Sequence, residues 1–354
     1  MQSNQIYTKS LVNVHNEWDP LEEIIVGTAI NAQLPKPDIG IHALDFPEYE
    51  TLEDIPSGKF PDYVIEETEE DLSILVETLE KLDIKVRRPS VVNHGAFFST
   101  PDWRTDGLYN YCPRDLILAV GNTLIETPSP LRSRFLETQA YKEIFIDYLK
   151  SGSGWICAPK PQLLDDVYDK PNEFEICLKN NEPLFEAANI LKLGTDLLYL
   201  ISNTGNELGA QWLQTILGSE YSVHCCYNVY KHKHIDTTFV PIRPGLVLVN
   251  PERVNHNNMP QILEKWDKIW CPEIVDTGYV GRQVLASAWI GMNFLMVNPD
   301  LAIVDRQQSA LIQELEKHKV EVIPLQLRHS RTMGGSFHCV TLDIRRKGKL
   351  ECYC

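Results

Sequence analysis

The sequence predicts a mixed α/β protein assembled from a repeated strand–helix–strand module, folded as a single domain over residues 1–354. Three observations carry this. Five short apolar runs bounded by turn residues read as strands: Glu22 to Val26, Leu116 to Val120, Leu197 to Ile201, Leu246 to Val249 and Ala302 to Val304. Each is followed by a polar turn and an amphipathic stretch, at Tyr63 to Leu82, Ser133 to Leu149, Asn206 to Leu217, Met259 to Trp266 and Ser309 to His318. The chain is 43% apolar over 354 residues, which is ample for a full hydrophobic core. Repetition on this scale suggests radial closure around an axis. A doubly wound sheet has the same order of elements, and periodicity does not separate the two.

In chain order, Asn16-Glu17-Trp18-Asp19-Pro20 reads as a turn that feeds Leu21 to Val26, a strand stopped by Gly27. Ala32 to Pro61 is rich in Pro, Gly and acidic residues and has no period, so it is expected to be a long, lid-like loop. From Tyr63, Ile65, Leu72, Leu75, Leu79 and Leu82 recur at helical spacing, with acids toward the start where the helix dipole favours them. Ile84 to Val86 returns as a strand, and Tyr221 to His224 and Val320 to Pro324 do the same after later helices. Near the end, Gly334-Gly335-Ser336-Phe337-His338-Cys339 leads into the apolar run Val340 to Ile344. The glycines let the backbone bend, and the strand then holds one thiol at its mouth.

A formal net charge of -16 excludes a dense basic face for nucleic acid or an anionic membrane. Met1 to Ser10 is polar without a signal-peptide core, and no run approaches the ~20 apolar residues of a membrane span. The protein is expected to be soluble and cytoplasmic, with small-molecule substrates. Nine cysteines without framework spacing read as reduced thiols. Cys225 and Cys226 are adjacent, and Cys352 and Cys354 are expected to be exposed or frayed. No Gly-rich phosphate loop and no G-x-S-x-G elbow occurs, so no nucleotide cofactor is expected.

Chemistry-bearing residues concentrate in His224 to Asp236, with His224, Cys225, Cys226, His232, His234 and Asp236. One reading is a zinc site, but the spacing matches no common zinc signature. The other places His234 and Asp236 on one face of an extended segment before a strand at Thr238 to Ile242. There His234 would pair, as acid/base, with Cys339 as nucleophile, because a thiol needs a basic or positive partner to ionise near neutrality. His232 and Lys233 read as solvated loop residues; with Lys231 they alternatively offer positive charge to a phosphorylated acceptor. Glu186, among Phe185, Ala187 and Ala188, is a buried structural acid or a site wall. Asp115 in Pro113-Arg114-Asp115 is expected at a strand edge. Several carboxylates beside one Cys and one His suit a cationic substrate, best a planar guanidinium.

These segments resemble the arginine amidinotransferase family of the pentein superfamily over essentially the whole length. The resemblance rests on Asn16 to Glu23, Pro113-Arg114-Asp115, Arg132 to Phe135, Ala158 to Pro161, Phe185 to Ala188, His234 to Thr238, Val249-Asn250-Pro251 and Gly335 to Cys339. The opening and the Arg331 to Arg346 tail look most like the inosamine-phosphate branch, which serves natural-product biosynthesis. The resemblance implies a five-module pseudo-fivefold α/β propeller around a narrow axial site. It implies Cys339 as nucleophile, His234 as general acid/base and Glu186 as its supporting acid. Asp115 and Asp236 would lie near the guanidinium, and Arg253 and Ser287 would hold the donor's α-carboxylate. It also implies no metal or other cofactor, and a homodimer. Glu186 stands where several relatives have Asp, and Asn189 where relatives often carry a further acid. The rival readings are an arginine deiminase-type hydrolase and a non-catalytic arginine-binding protein.

Overall fold

The computed structural model describes residues 10–353, so Cys354 and the polar segment from Met1 up to residue 9 lie outside the described residues. Five three-stranded sheets make up the framework. Each has a middle strand paired antiparallel to one neighbour and parallel to the other. Leu21–Val26 lies between Thr341–Arg346 and Lys85–Arg87. Thr123–Glu126 lies between Ile117–Val120 and Gly154–Cys157. Asp196–Leu200 lies between Ile190–Leu193 and Ser222–Cys226. Leu246–Val249 lies between Phe239–Arg243 and Asp267–Trp270. Leu301–Asp305 lies between Leu295–Asn298 and Glu321–Leu325. The module is therefore strand–strand–crossover–strand, and a parallel third strand requires that crossover. The arrangement is the radial one, a pseudo-fivefold α/β propeller.

The middle strands read as unbroken apolar runs because both their faces are covered; every residue of Asp196–Leu200 and Leu246–Val249 is buried. Helices Asp62–Lys81, Lys142–Lys150, Glu207–Leu217 and Ser309–Lys317 form four of the crossovers. In the first, Val64, Leu72, Leu75 and Leu79 are buried along one stripe. In the third, the Asn206 side chain caps the helix by accepting from the Gly209 N–H at 2.9 Å.

Several sequence expectations need correction. Met259 to Trp266 is not a helix: the fourth crossover holds only a 3₁₀ turn, Gln261–Leu263, entered through Pro260. Leu263 and Trp266 are still buried, so their spacing reflects packing of irregular chain. Ser133 to Leu149 is α-helical only from Lys142, after two 3₁₀ turns. In the second module the apolar run splits into a one-turn helix, Pro113–Leu116, and an outer strand; the middle strand follows it. The 32–61 segment is structured: Gln33–Leu34 pairs with Gly58–Lys59, and a helix, Ile39–Leu44, starts at an Asp38 cap.

The first sheet closes the ring by joining the two ends of the chain, with Val26 opposite Thr341 and Leu21 opposite Arg346. Arg346 is 1% exposed. It donates to Asp343 Oδ2 and to the Met296 carbonyl at 2.8 Å each, and to the Asp19 carbonyl. A buried guanidinium is tolerable only with such partners. The tail is anchored too. Gly194 has φ +75°, and a Cβ there would sit 1.9 Å from the Glu351 carbonyl oxygen. Cys352 is exposed but bridges to Gly194, so it is not frayed. Among the described residues no helix is long and apolar enough to cross a membrane.

Candidate active site

Cys339 ends the turn that enters the closing strand and is 2% exposed. The turn is set by Gly334, which terminates the short helix Ser330–Met333 at φ +85°. A side chain at Gly335 would meet Cys112 Sγ at 2.5 Å and Cys339 Cβ at 2.9 Å. Asn293 pins the turn: its Oδ1 accepts from the Ser336 N–H at 3.2 Å and the Cys339 N–H at 3.0 Å. The thiol donates to Asp236 Oδ2 at 3.3 Å, and the same oxygen lies 2.9 Å from His338 Nδ1.

His234 and Asp236 do not lie on an extended segment. Ile235–Thr237 is a 3₁₀ turn with His234 at its start, and the following strand begins at Phe239. Both side chains still reach Cys339. His234 Nε2 lies 2.6 Å from Glu186 Oε2, and Nδ1 lies 3.7 Å from Asp115 Oδ1. Glu186 also accepts from Ser129 Oγ at 2.7 Å. Asp115 belongs to the one-turn helix before Ile117.

Arg134 organises these acids. Its Nη1 reaches Asp115 Oδ2 at 2.8 Å and both Glu186 oxygens at 3.3 Å, while Nε and Nη2 form a bidentate pair with Glu137 at 2.8 and 2.7 Å. Asp115 Oδ1 is left as a buried acceptor without a hydrogen-bond partner. Asn189 stands apart from the carboxylates: its amide donates to the Leu200 carbonyl at 2.8 Å and Ser202 Oγ at 2.9 Å.

Arg253 stacks on Tyr230 at 3.6 Å and donates to Thr237 Oγ1 at 2.7 Å, Thr238 Oγ1 at 3.0 Å and Ser287 Oγ at 3.2 Å. Arg253 and Ser287 thus lie side by side, and Arg253 feels the Asp236 charge. Lys233 is not a free loop charge, since its Nζ lies 3.1 Å from Oδ1 of Asp45, the residue that ends the Ile39–Leu44 helix. His232 is held down to about 4 by burial, then by the Lys231, Arg253 and Lys233 charges.

The resting site is a charged imidazole beside a neutral thiol. Burial disfavours charge on His234, but the Asp115 charge, the Cys339 hydrogen bond and Glu186 together lift it well above its ordinary value. The Cys339 thiol is pushed well above its ordinary range by the neighbouring Cys112 thiol, burial and the Asp236 charge, with His234 pulling the other way. Burial would raise Glu186 and Asp236, yet Arg134 and His234 hold the first near 2, and His338 and His234 hold the second near 2.

Among the described residues, the His/Cys/Asp/Glu group compact enough for an ion is Asp115, Glu186 and His234. Arg134 is already seated against two of its carboxylates, where a cation would sit. The His224 to Asp236 stretch makes no metal cluster of its own, and His224 pairs with Asp196 at 2.7 Å.

Sequence reasoning assigned no role to Arg134, Glu137, Ser129, Asn293, Cys112 or His338. Arg134 and His338 lay inside segments already singled out, and the signal for them was a basic residue embedded in apolar or small neighbours.

A five-bladed α/β ring with a buried thiol, imidazole and carboxylates at its hub defines a pentein-type propeller. No family model matches the chain. The chain is 56% identical to inosamine-phosphate amidinotransferase 1 of Streptomyces glaucescens, over 97% of this chain and 99% of that protein. It is 37% identical to the L-arginine:L-lysine amidinotransferase of Pseudomonas savastanoi pv. phaseolicola, over 96% and 95% respectively. The solved inosamine-phosphate amidinotransferase of Streptomyces griseus matches with a TM-score of 0.96 at 57% identity, covering 98% of this chain and 99% of that one. The chain belongs to the amidinotransferase family.

Proposed function

We propose that this amidinotransferase takes the amidino group of L-arginine onto Cys339, releases ornithine, and passes the group to the amine of an inosamine phosphate. The observation that carries the donor is Asp115 Oδ1, a buried carboxylate oxygen without a hydrogen-bond partner. It needs an N–H donor, and a guanidinium brings several. Asp236, on the thiol's side, offers a second carboxylate. Arg253 and Ser287 supply a cation and a hydroxyl for the α-carboxylate.

The thiol releases its proton to solvent as the guanidinium charge enters, since a cation beside it favours the thiolate, and recovers one when the product leaves. Cys339 Sγ attacks the central carbon, and the S–C bond forms as the C–N bond to ornithine breaks. The His234 imidazolium gives its proton to the departing amine. The amidino-cysteine then meets the acceptor amine. Neutral His234 takes the amine's proton, the new C–N bond forms, and the thiolate leaves. Asp115 and Glu186 keep the imidazole basic enough to be charged at the start.

The inosamine acceptor is supported by the 56% identical relative's substrate. The positive field that Lys231, Arg253 and Lys233 create around His232 fits a phosphate on the acceptor. A homodimer in the cytoplasm is part of the same reading. Ornithine release with inosamine phosphate, glycine, lysine and 4-aminobutyrate, each varied against arginine, tests it. Inosamine phosphate should give the highest kcat/KM, with the parallel double-reciprocal lines of a ping-pong scheme. Citrulline forming from arginine alone at the full rate would replace transfer by hydrolysis.

A further inference from the structure

We propose that His338, the residue before the thiol, is a positioning residue that grips Asp236 by its Oδ2 edge and so presents this carboxylate to the incoming guanidinium. The inference rests on the reading of Asp236 as a guanidinium ligand. His338 is buried, and both ring nitrogens face carboxylates: Nδ1 lies 2.9 Å from Asp236 Oδ2 and Nε2 lies 3.4 Å from Glu17 Oε2. Glu17 is itself fixed from the far side. Lys192 Nζ is 2.6 Å from Oε1, the Lys192 N–H donates to the same oxygen at 3.0 Å, and Arg114 Nη1 is 3.5 Å from Oε2. Arg114 Nε also donates to the His338 carbonyl at 2.8 Å. The ring is thus held at both nitrogens and at its own backbone.

A cavity of about 10 Å³ beside the ring, lined by Glu17 and Asp236 as well as Leu191, Phe239, Phe294 and Met296, has room for at most about one water. At most one water could therefore stand in for the imidazole as Asp236's partner. The need for a grip arises in the reaction itself. Asp236 Oδ2 takes two donors, His338 Nδ1 and the Cys339 thiol at 3.3 Å. When the thiol loses its proton, that donor vanishes and a like charge stands at the same distance. Unheld, the carboxylate would turn away from the sulfur and lose its alignment with the guanidinium. The charged groups that face His338 are Asp236, Glu17, Lys192 and Arg114, and of these only Asp236 also touches the thiol.

Two substitutions test this. His338→Phe keeps a ring among apolar neighbours and removes both ring nitrogens, whereas His338→Asn keeps one N–H for Asp236 and gives up the contact with Glu17. With His338→Phe, kcat/KM for arginine should fall by about 10- to 100-fold, mainly through KM, the scale of one hydrogen bond to a charged group. His338→Asn should lose less than about tenfold. In both, the acid limb of kcat/KM should move to higher pH, further in His338→Phe, because the imidazole that helps hold the Asp236 carboxyl near 2 is gone. If His338→Phe does not fold, His338→Asn decides, with folding followed by thermal unfolding. An acid limb unmoved in the folded variant, with KM for arginine unchanged, overturns the inference. Asp236→Asn separates the two claims. If it leaves KM for arginine unchanged, the reading of Asp236 fails. If it raises KM while the His338 variants do not, only the role of His338 fails.

Discussion

Glu186→Gln keeps the shape of a fully buried side chain and removes one charge from it. In the native site Glu186 Oε2 accepts from His234 Nε2 at 2.6 Å and Oε1 accepts from Ser129 Oγ at 2.7 Å, with Arg134 Nη1 at 3.3 Å from both. A glutamine can turn its oxygen to His234 and its amide to the Ser129 hydroxyl, which can reverse its own role. The hydrogen bond to the imidazole then survives as a neutral one. Charge-assisted bonds are roughly twice as strong, so the exchange weakens the charged imidazole by about 1–2 kcal/mol, or about one pKa unit. Asp115 still raises His234, so the shift is partial. The imidazolium is the acid for ornithine departure, so the basic limb of kcat/KM for arginine should move down by about one pH unit. Initial rates of ornithine release across the neutral to alkaline range read this directly. A second consequence has a fixed sign. A histidine whose folded pKa is raised adds stability below its unfolded value of about 6.5 and loses it as pH rises through the folded pKa. Glu186→Gln should therefore destabilise the protein more at pH 6 than at alkaline pH, as urea unfolding at the two would show. A basic limb that stays in place would refute the view that Glu186 tunes His234.

Three further perturbations follow the same logic. Arg253→Met should raise KM for arginine by about 10- to 100-fold with kcat little changed, since it removes a charged partner of the α-carboxylate; steady-state kinetics decide. Arg346→Met leaves Asp343 and two carbonyls short of a donor at the ring closure, and should lower the unfolding free energy by about 3 kcal/mol in urea titrations. Exhaustive chelation should leave ornithine release unchanged, because Arg134 fills the cation position among Asp115 and Glu186; loss of activity restored by zinc would contradict this.

The repeated modules were legible because the middle strands are buried on both faces and so appear as continuous apolar runs. The antiparallel partner of each was harder to see. Ile117–Val120 and Thr123–Glu126 are separated by Gly121 and Asn122 and carry similar composition, so one run was read where the chain makes a hairpin. Ring closure by Thr341–Arg346 joins opposite ends of the sequence, and no local pattern encodes which end strand pairs with which. Met259 to Trp266 misled because spacing of apolar residues by three fits irregular chain packed on a sheet as well as it fits a helix. At the site, Cys339, His234, Glu186, Asp115 and Asp236 were found as residue types in suggestive company, and the structure brings all five together. The geometry that joins them was not legible. The 3₁₀ turn at Ile235–Thr237 replaces the expected extended segment, and the sequence around Arg134 does not show that its guanidinium knits three acids together.

The central claim is that Cys339 carries the amidino group between two half-reactions. Incubating the protein with L-arginine alone, quenching in acid and mapping the digest by mass spectrometry tests this without any assumption about the acceptor. The account predicts one amidino adduct, on the peptide holding Cys339, with an equivalent of ornithine released and the adduct discharged when the acceptor amine is added. Turnover in Cys339→Ser should fall by at least about 10⁴-fold, the scale of losing a covalent nucleophile. An unmodified Cys339 in protein that is turning over arginine and acceptor would contradict the account.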